Sequence, residues 1–212
     1  MRCGATEVAD VVIVSTAPPW RGGIAQYMNE LGKSFSKQFK TRIITFKKQY
    51  PAFLKPNQLG DTAPELPTEM ILNPLAPWTW LKAVRRINQL CAKLVALKYW
   101  HPFFALCFGF ILRRVNMRTV VIVDNVMPHE RFPFSRALAK YALSAADYLI
   151  VQSEVSEIEL RELLPTRECY RVDHPQFAAQ KKPDKATARE KLGLNATDKV
   201  ILFFGYVRPY KG

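Results

Sequence analysis

The chain has 212 residues, 49% of them apolar, enough for one large domain or one and a half. Its 31 Lys and Arg against 18 Asp and Glu leave a net charge of +13, which points to a polyanionic partner: a phosphate-bearing ligand, an anionic bilayer or nucleic acid. The basic residues are dispersed, which does not indicate a nucleic-acid-binding tail, and no segment is long and clean enough to span a membrane.

The first apolar stretch is bracketed by Glu7 and Asp10 and followed by a polar loop, a pattern unlike a secretion signal. Cys3, Cys91, Cys107 and Cys169 are too widely spaced for a zinc knuckle or a CxxC pair, so the expectation is a reduced, cytosolic environment with structural thiols. Val11 to Val14 is an unbroken, β-branched run that predicts a strand buried on both faces. Thr16 to Gly23 then interrupts it with two prolines and two glycines, and from Ile24 the period changes: Ile24, Tyr27, Met28, Leu31 and Phe35 share a helical face. A strand, a glycine-bearing loop and a helix start leave backbone N–H groups and a positive dipole end free. Gly22 and Gly23, lacking a Cβ, either let that backbone approach an anion or serve only the geometry of the turn.

Thr41 to Phe46 reads as the second strand, ending in Lys47 and Lys48. The absence of an acidic residue there, and of GxGxxG, removes both fingerprints of a nicotinamide-dependent oxidoreductase. Tyr50 to Pro67 is loop-like, and Glu69 to Leu72 reads as a short third strand. Trp78, Leu81, Val84, Ile87 and Leu90 or Cys91 fall at helical spacing among basic residues. Leu94 to Leu97 then reads as a fourth strand, Tyr99 to Pro102 as its carboxyl-end loop and Phe103 to Arg114 as a helix. Trp78, Trp80, Trp100 and Arg113-Arg114 are the residue types of a membrane-surface rim. For Phe103 to Leu112 an apolar core helix is the better reading, and Trp78 to Arg86 fits either.

Arg118 to Val123 is the fifth strand and leads into Asp124-Asn125-Val126-Met127-Pro128-His129-Glu130, a polar cluster where open α/β sheets hold their ligands. Phe134, Leu138, Tyr141, Ala142 and Ala145 form a helical stripe, and Asp147 to Val151 a sixth strand. Ser153, Glu154 and Glu157 cap the next helix, and Tyr170 to Val172 is a last short strand. This alternation predicts a doubly wound, mostly parallel α/β sheet over residues 1–175. A linker and short helix follow over 176–198, with Asp184 as N-cap and Gly193 as stop. Lys199 to Phe204 reads as a buried-type strand running into Gly205-Tyr206-Val207-Arg208-Pro209-Tyr210-Lys211-Gly212, a loop suited to a diphosphate.

Taken together, GGIAQYMNEL, DNVMPHE, the YLIVQSE junction and FGYVRPYKG resemble the GT-B glycosyltransferases of family 4 along essentially the whole chain. The resemblance implies a Rossmann-like acceptor domain followed by the start of a second, donor-sugar domain at 199–212, truncated there. It implies a retaining hexosyltransferase that moves a sugar from a nucleotide-sugar to a lipid-linked or polysaccharide acceptor. No metal or other cofactor is expected, and Asp-x-Asp does not occur. Gly22, Gly23, Arg208 and Lys211 match donor-phosphate positions. Asp124 stands where many relatives have a histidine and, with His129, is the catalytic candidate; Trp100, His101, Asn125 and Glu130 are expected toward the acceptor. The expected setting is cytoplasmic, peripheral on a membrane face, with little turnover by this chain alone. The orphan strand 199–204 is expected to lie against the first domain, to be poorly ordered or to drive self-association. The competing class is a non-catalytic basic module docking on anionic membrane or nucleic acid, with nucleic acid not expected as a partner of the transferase.

Overall fold

The computed structural model describes residues 7–51, 59–128, 132–175 and 182–203. The chain divides into two compact units, Met1–Asp173 and His174–Gly212.

In the first unit seven strands form a single sheet: β1 (Val11–Val14), β2 (Thr41–Phe46), β3 (Thr68–Leu72), β4 (Leu94–Tyr99), β5 (Arg118–Val123), β6 (Tyr148–Val151) and β7 (Tyr170–Arg171). Their order is β3-β2-β1-β4-β5-β6-β7, and each neighbouring pair is parallel. Among the described residues five α-helices accompany them: α1 (Gly23–Ser36), α2 (Pro77–Gln89), α3 (Ala105–Leu112), α4 (Ser135–Leu143) and α5 (Glu154–Leu163). The chain steps one way from β1 to β2 and the other way from β3 to β4 and onward. Right-handed crossovers therefore send α1 to one face and α2 to α5 to the other.

The two cores follow this division. Tyr27 and Met28, flanked by Ile24, Leu31 and Phe35, cover Val11, Ile13, Ile43, Ala96 and Ile122, and α1 is the one helix among the described residues in that cluster. The larger core packs Val12, Val14, Ile44, Val95, Leu97, Val121 and Val123 against residues of α2 to α5. Gly109 in α3 lets the Tyr141 ring of α4 come close: a Cβ there would lie 2.3 Å from the ring.

Several elements depart from their sequence reading. The buried face of α2 is Trp80, Ala83, Val84 and Ile87, whereas Trp78 is 74% exposed. Two tryptophans flank that face, and Trp80 is drawn inward by its Nε1–H bond to the Asn73 carbonyl (2.8 Å). Phe134 is 82% exposed rather than part of a stripe, because its left-handed backbone (φ 55°) turns it away just before α4. Strand β4 runs two residues further than its apolar run, through Lys98 and Tyr99. Cys91 is disulfide-bonded instead of a thiol, while Cys107 and Cys169 are free. A disulfide is not legible from spacing alone, and at this end of α2 the Ala9 N–H donates to the Leu90 carbonyl (3.0 Å), which lays Ala9 beside the residue before Cys91.

In the second unit α6 (Lys185–Lys191) is capped by Asp184, whose carboxylate accepts from the Ala186 and Thr187 N–H groups (3.1 Å each), and Gly193 follows at φ 67°. The described part of the run expected as a strand, 199–203, carries none, and Ile201 and Leu202 are exposed. An apolar run becomes a strand only with a ladder to join, and the described residues of this unit contain no other strand.

Candidate functional site

The strand order reverses between β1 and β4, so the loops leaving these two strands part and open a crevice at their carboxyl ends. On one side lies the segment from Ser15 to Gly23. It is anchored by the Ala17 N–H to Thr45 Oγ1 (3.2 Å) and by the Trp20 indole N–H to the Phe46 carbonyl (2.7 Å). Gly22 takes φ 128° at the N-cap of α1, a backbone a side chain rarely adopts. No side chain caps this helix and no acidic residue stands in its first turn; a Cβ on either Gly22 or Gly23 would meet nothing within 4 Å. Among the described residues, then, no side chain compensates the dipole at the amide end of this 14-residue helix, and the space beside its two glycines is open. The Ser15 and Thr16 hydroxyls, buried just before this helix, have no hydrogen-bond partner among the described residues.

On the other side is Lys98, 1% exposed at the end of β4. Strand alternation explains its surroundings. Lys98 pairs with Ile122, and Ile122 with Ile150, all on the face that α1 covers. Two residues further on, the same face carries Asp124 and Gln152. The Lys98 ammonium donates to Gln152 Oε1 (2.6 Å), pairs with Asp124 Oδ1 (3.0 Å) and lies 4.0 Å from the centre of the Tyr27 ring in α1. Gln152 in turn donates to the Tyr27 hydroxyl (3.1 Å). Burial lowers the Lys98 pKa from the ordinary lysine value, against the upward pull of Asp124. Burial likewise raises that of Tyr27, opposed by the Gln152 bond. The Asp124 side chain stays one-third exposed, so this carboxylate both holds the ammonium and faces outward. Its backbone is fixed by the Asp124 N–H to Tyr99 O (2.8 Å) and by the Ser156 hydroxyl donating to the Asp124 carbonyl (3.0 Å).

The residues singled out from sequence fall into three groups. Gly22, Gly23, Asp124 and the half-buried Asn125 lie at this end of the sheet. Trp100 and His101 follow β4 there, yet Trp100 is only 7% exposed. It packs on Phe104 (ring centroids 4.4 Å), Phe108 (5.5 Å) and Phe46 (6.2 Å), a core position rather than a rim one. His101 Nδ1 accepts from the Phe103 N–H (3.1 Å) and caps a short 3-10 turn over Pro102–Phe104, which puts the proton of its neutral ring on Nε2. His129, Glu130, Arg208 and Lys211 lie outside the described residues. Among the described residues no group of three His, Cys, Asp or Glu could hold a metal ion. Sequence reading missed Lys98, Gln152 and Tyr27. The available signal was a lysine inside an otherwise apolar central strand.

No protein-family model matches this sequence, and no curated protein matches it in sequence. Solved structures do. Sucrose-phosphate synthase from Thermosynechococcus elongatus superposes with a TM-score of 0.63 at 16% identity, over 89% of this chain and 53% of that one. HepE of Anabaena in complex with UDP gives 0.60 at 16% identity, over 87% and 50%. An alpha-glucosyltransferase in complex with UDP and a 13-mer DNA gives 0.53 at 12% identity, over 80% and 43%. The chain therefore spans about half the length of these structures. At such identities the likeness shows the fold alone, a Rossmann-like α/β sheet like those in these structures.

Proposed function

We propose that this chain is the acceptor-side half of a nucleotide-sugar-dependent glycosyltransferase. The observation that carries the reading is the pairing, across the β1–β4 crevice, of an uncapped helix amino end at Gly22–Gly23 with the buried Lys98–Asp124 pair. An anion seated at the α1 amides is stabilised by the helix dipole, and Gly22 and Gly23 keep its approach clear. As a sugar departs from a nucleoside diphosphate, negative charge grows on the pyrophosphate, and pre-aligned amides stabilise that charge most where water is excluded. Asp124, paired with Lys98, whose ammonium Gln152 in turn holds, is oriented to accept a hydrogen bond from a sugar or acceptor hydroxyl. HepE and the alpha-glucosyltransferase are each seen in complex with UDP, which supports a nucleotide-sugar as the ligand class. The proposed acceptor is a lipid-linked or polysaccharide hydroxyl, and the proposed course is retaining.

Gly23→Asp tests the reading because its two effects have opposite signs. A carboxylate in the first turn favours the helix by about 0.5 kcal/mol and enters open space, so the unliganded protein melts at the same temperature or higher. The same charge repels a phosphate, so the rise in Tm that UDP gives the parent protein disappears. A UDP-induced rise that survives Gly23→Asp removes the α1 terminus from the site. No UDP-induced rise in the parent protein overturns the reading.

A further inference from the structure

Helix α2 has one face in the core, and its other face is unlike a solvated surface. Trp78 is 74% exposed, Leu75 60% and Leu81 38%, and Lys82 and Arg85 continue the same stripe at helical spacing. Neither α2 nor the turn over 73–76 contains an acidic residue. Arg86, one position further round, is neutralised by Glu69 (2.8 Å) and by Glu7, whereas Lys82 and Arg85 form no ion pair among the described residues. Two more exposed cations adjoin the stripe: the Lys47 and Lys48 N–H groups donate to the Leu72 carbonyl (2.7 and 3.3 Å), three residues before Leu75. Exposed indole and leucine side by side with unpaired cations are costly in water and unhelpful to a dry protein interface, where unpaired lysine is depleted. They match a surface that is anionic outside and apolar a few ångströms below.

We propose that Leu75, Trp78 and Leu81, with Lys82, Arg85 and the adjoining Lys47–Lys48 pair, form a docking surface for an anionic phospholipid bilayer. The cations meet the headgroup phosphates while the indole and leucines enter the interfacial layer. Because β3 ends and α2 begins at the carboxyl end of the sheet, docking there turns the β1–β4 crevice toward the bilayer. A hydroxyl anchored on a lipid is thereby brought to the site. That last step rests on the functional reading above, whereas the docking surface itself does not.

The test uses the full chain with vesicles of phosphatidylcholine alone and of phosphatidylcholine mixed with phosphatidylglycerol. Binding is expected only to the mixed vesicles and to weaken as salt rises. Lys82→Gln with Arg85→Gln is expected to weaken it roughly thirtyfold, and Trp78→Ala on the order of tenfold. Trp20, Trp80 and Trp100 are buried, so quenching by brominated lipid chains reports on Trp78 and vanishes in Trp78→Phe. Absence of binding, or binding that all these substitutions leave unchanged, overturns the proposal. So does capture of a duplex oligonucleotide that the Gln pair weakens while lipid quenching is absent, which assigns the surface to nucleic acid. UDP-induced stabilisation measured without vesicles reads the nucleotide site separately, so either reading can fail while the other stands.

Discussion

Lys98 shows how one side chain can hold a site together. Its ammonium is satisfied by Asp124, Gln152 and the Tyr27 ring, so Lys98→Met removes one charge and strands another. Breaking a buried pair on one side costs about 3–5 kcal/mol, and the partial exposure of Asp124 sets the expectation at the lower end. Urea unfolding should show that loss in Lys98→Met and recover most of it in Lys98→Met with Asp124→Leu. An equal loss in the double variant would mean that packing of the lysine stem, not the pairing, is what matters. Asp147 gives a pH signature at the opposite end of the sheet. Burial pulls its carboxyl upward, but the Thr119 N–H (2.8 Å) and hydroxyl (2.9 Å), with Arg118 nearby, hold its pKa below the ordinary value of 3.8. Above pH 3.8 the folded and unfolded chains both carry the charge, and the stabilisation is fully present. It is lost as pH falls below that value through the folded pKa. The stability difference between the parent and Asp147→Asn should therefore be constant at neutral pH and shrink on acidification below pH 4; a difference that widens there would contradict the assignment.

Among elements, α1 and α5 make an instructive pair. Helix α5 is closed by its own chain: the Ser153 hydroxyl accepts from the Ser156 N–H (3.1 Å), and Glu154 and Glu157 occupy the first turn. Ser153→Ala should cost about 1 kcal/mol by thermal unfolding and leave UDP binding untouched. Both ends were legible in the sequence, because caps and glycines are local chemistry. The strands were legible for a similar reason: TRIITF and RTVVIV are β-branched runs whose length sets their ends. What escaped is what depends on a neighbour. Lys98 falls just past the apolar run Leu94 to Leu97, and Tyr99 reads as loop, until the register from Leu94–Arg118 to Tyr99–Val123 shows that β4 continues alongside β5. Trp78 and Trp80 compete for one face of α2, and the Asn73 carbonyl and the Phe110 ring, both of which Trp80 meets, favour Trp80. Trp100 reads as an exposed aromatic until Phe46, Phe104 and Phe108 close around it.

For the whole molecule, the apolar segment Val200–Phe203 is the clearest liability. Ile201 is 99% exposed and Leu202 78%, in a chain whose +13 charge otherwise keeps copies apart. Self-association should therefore increase with salt, as repulsion is screened, and Ile201→Lys with Phe203→Lys should suppress it in light scattering. Scattering that is the same with and without these changes would show that the segment is not what joins copies. Another consequence follows from the unequal cladding of the sheet, with α1 the one helix among the described residues roofing one side. Whatever lodges at the tip of that roof also fastens it down. Occupancy at Gly22–Gly23 should thus be felt as slower deuterium uptake at Ile13, Ala96 and Ile122 beneath, turning a local encounter into a stiffening of the half-sheet it shelters.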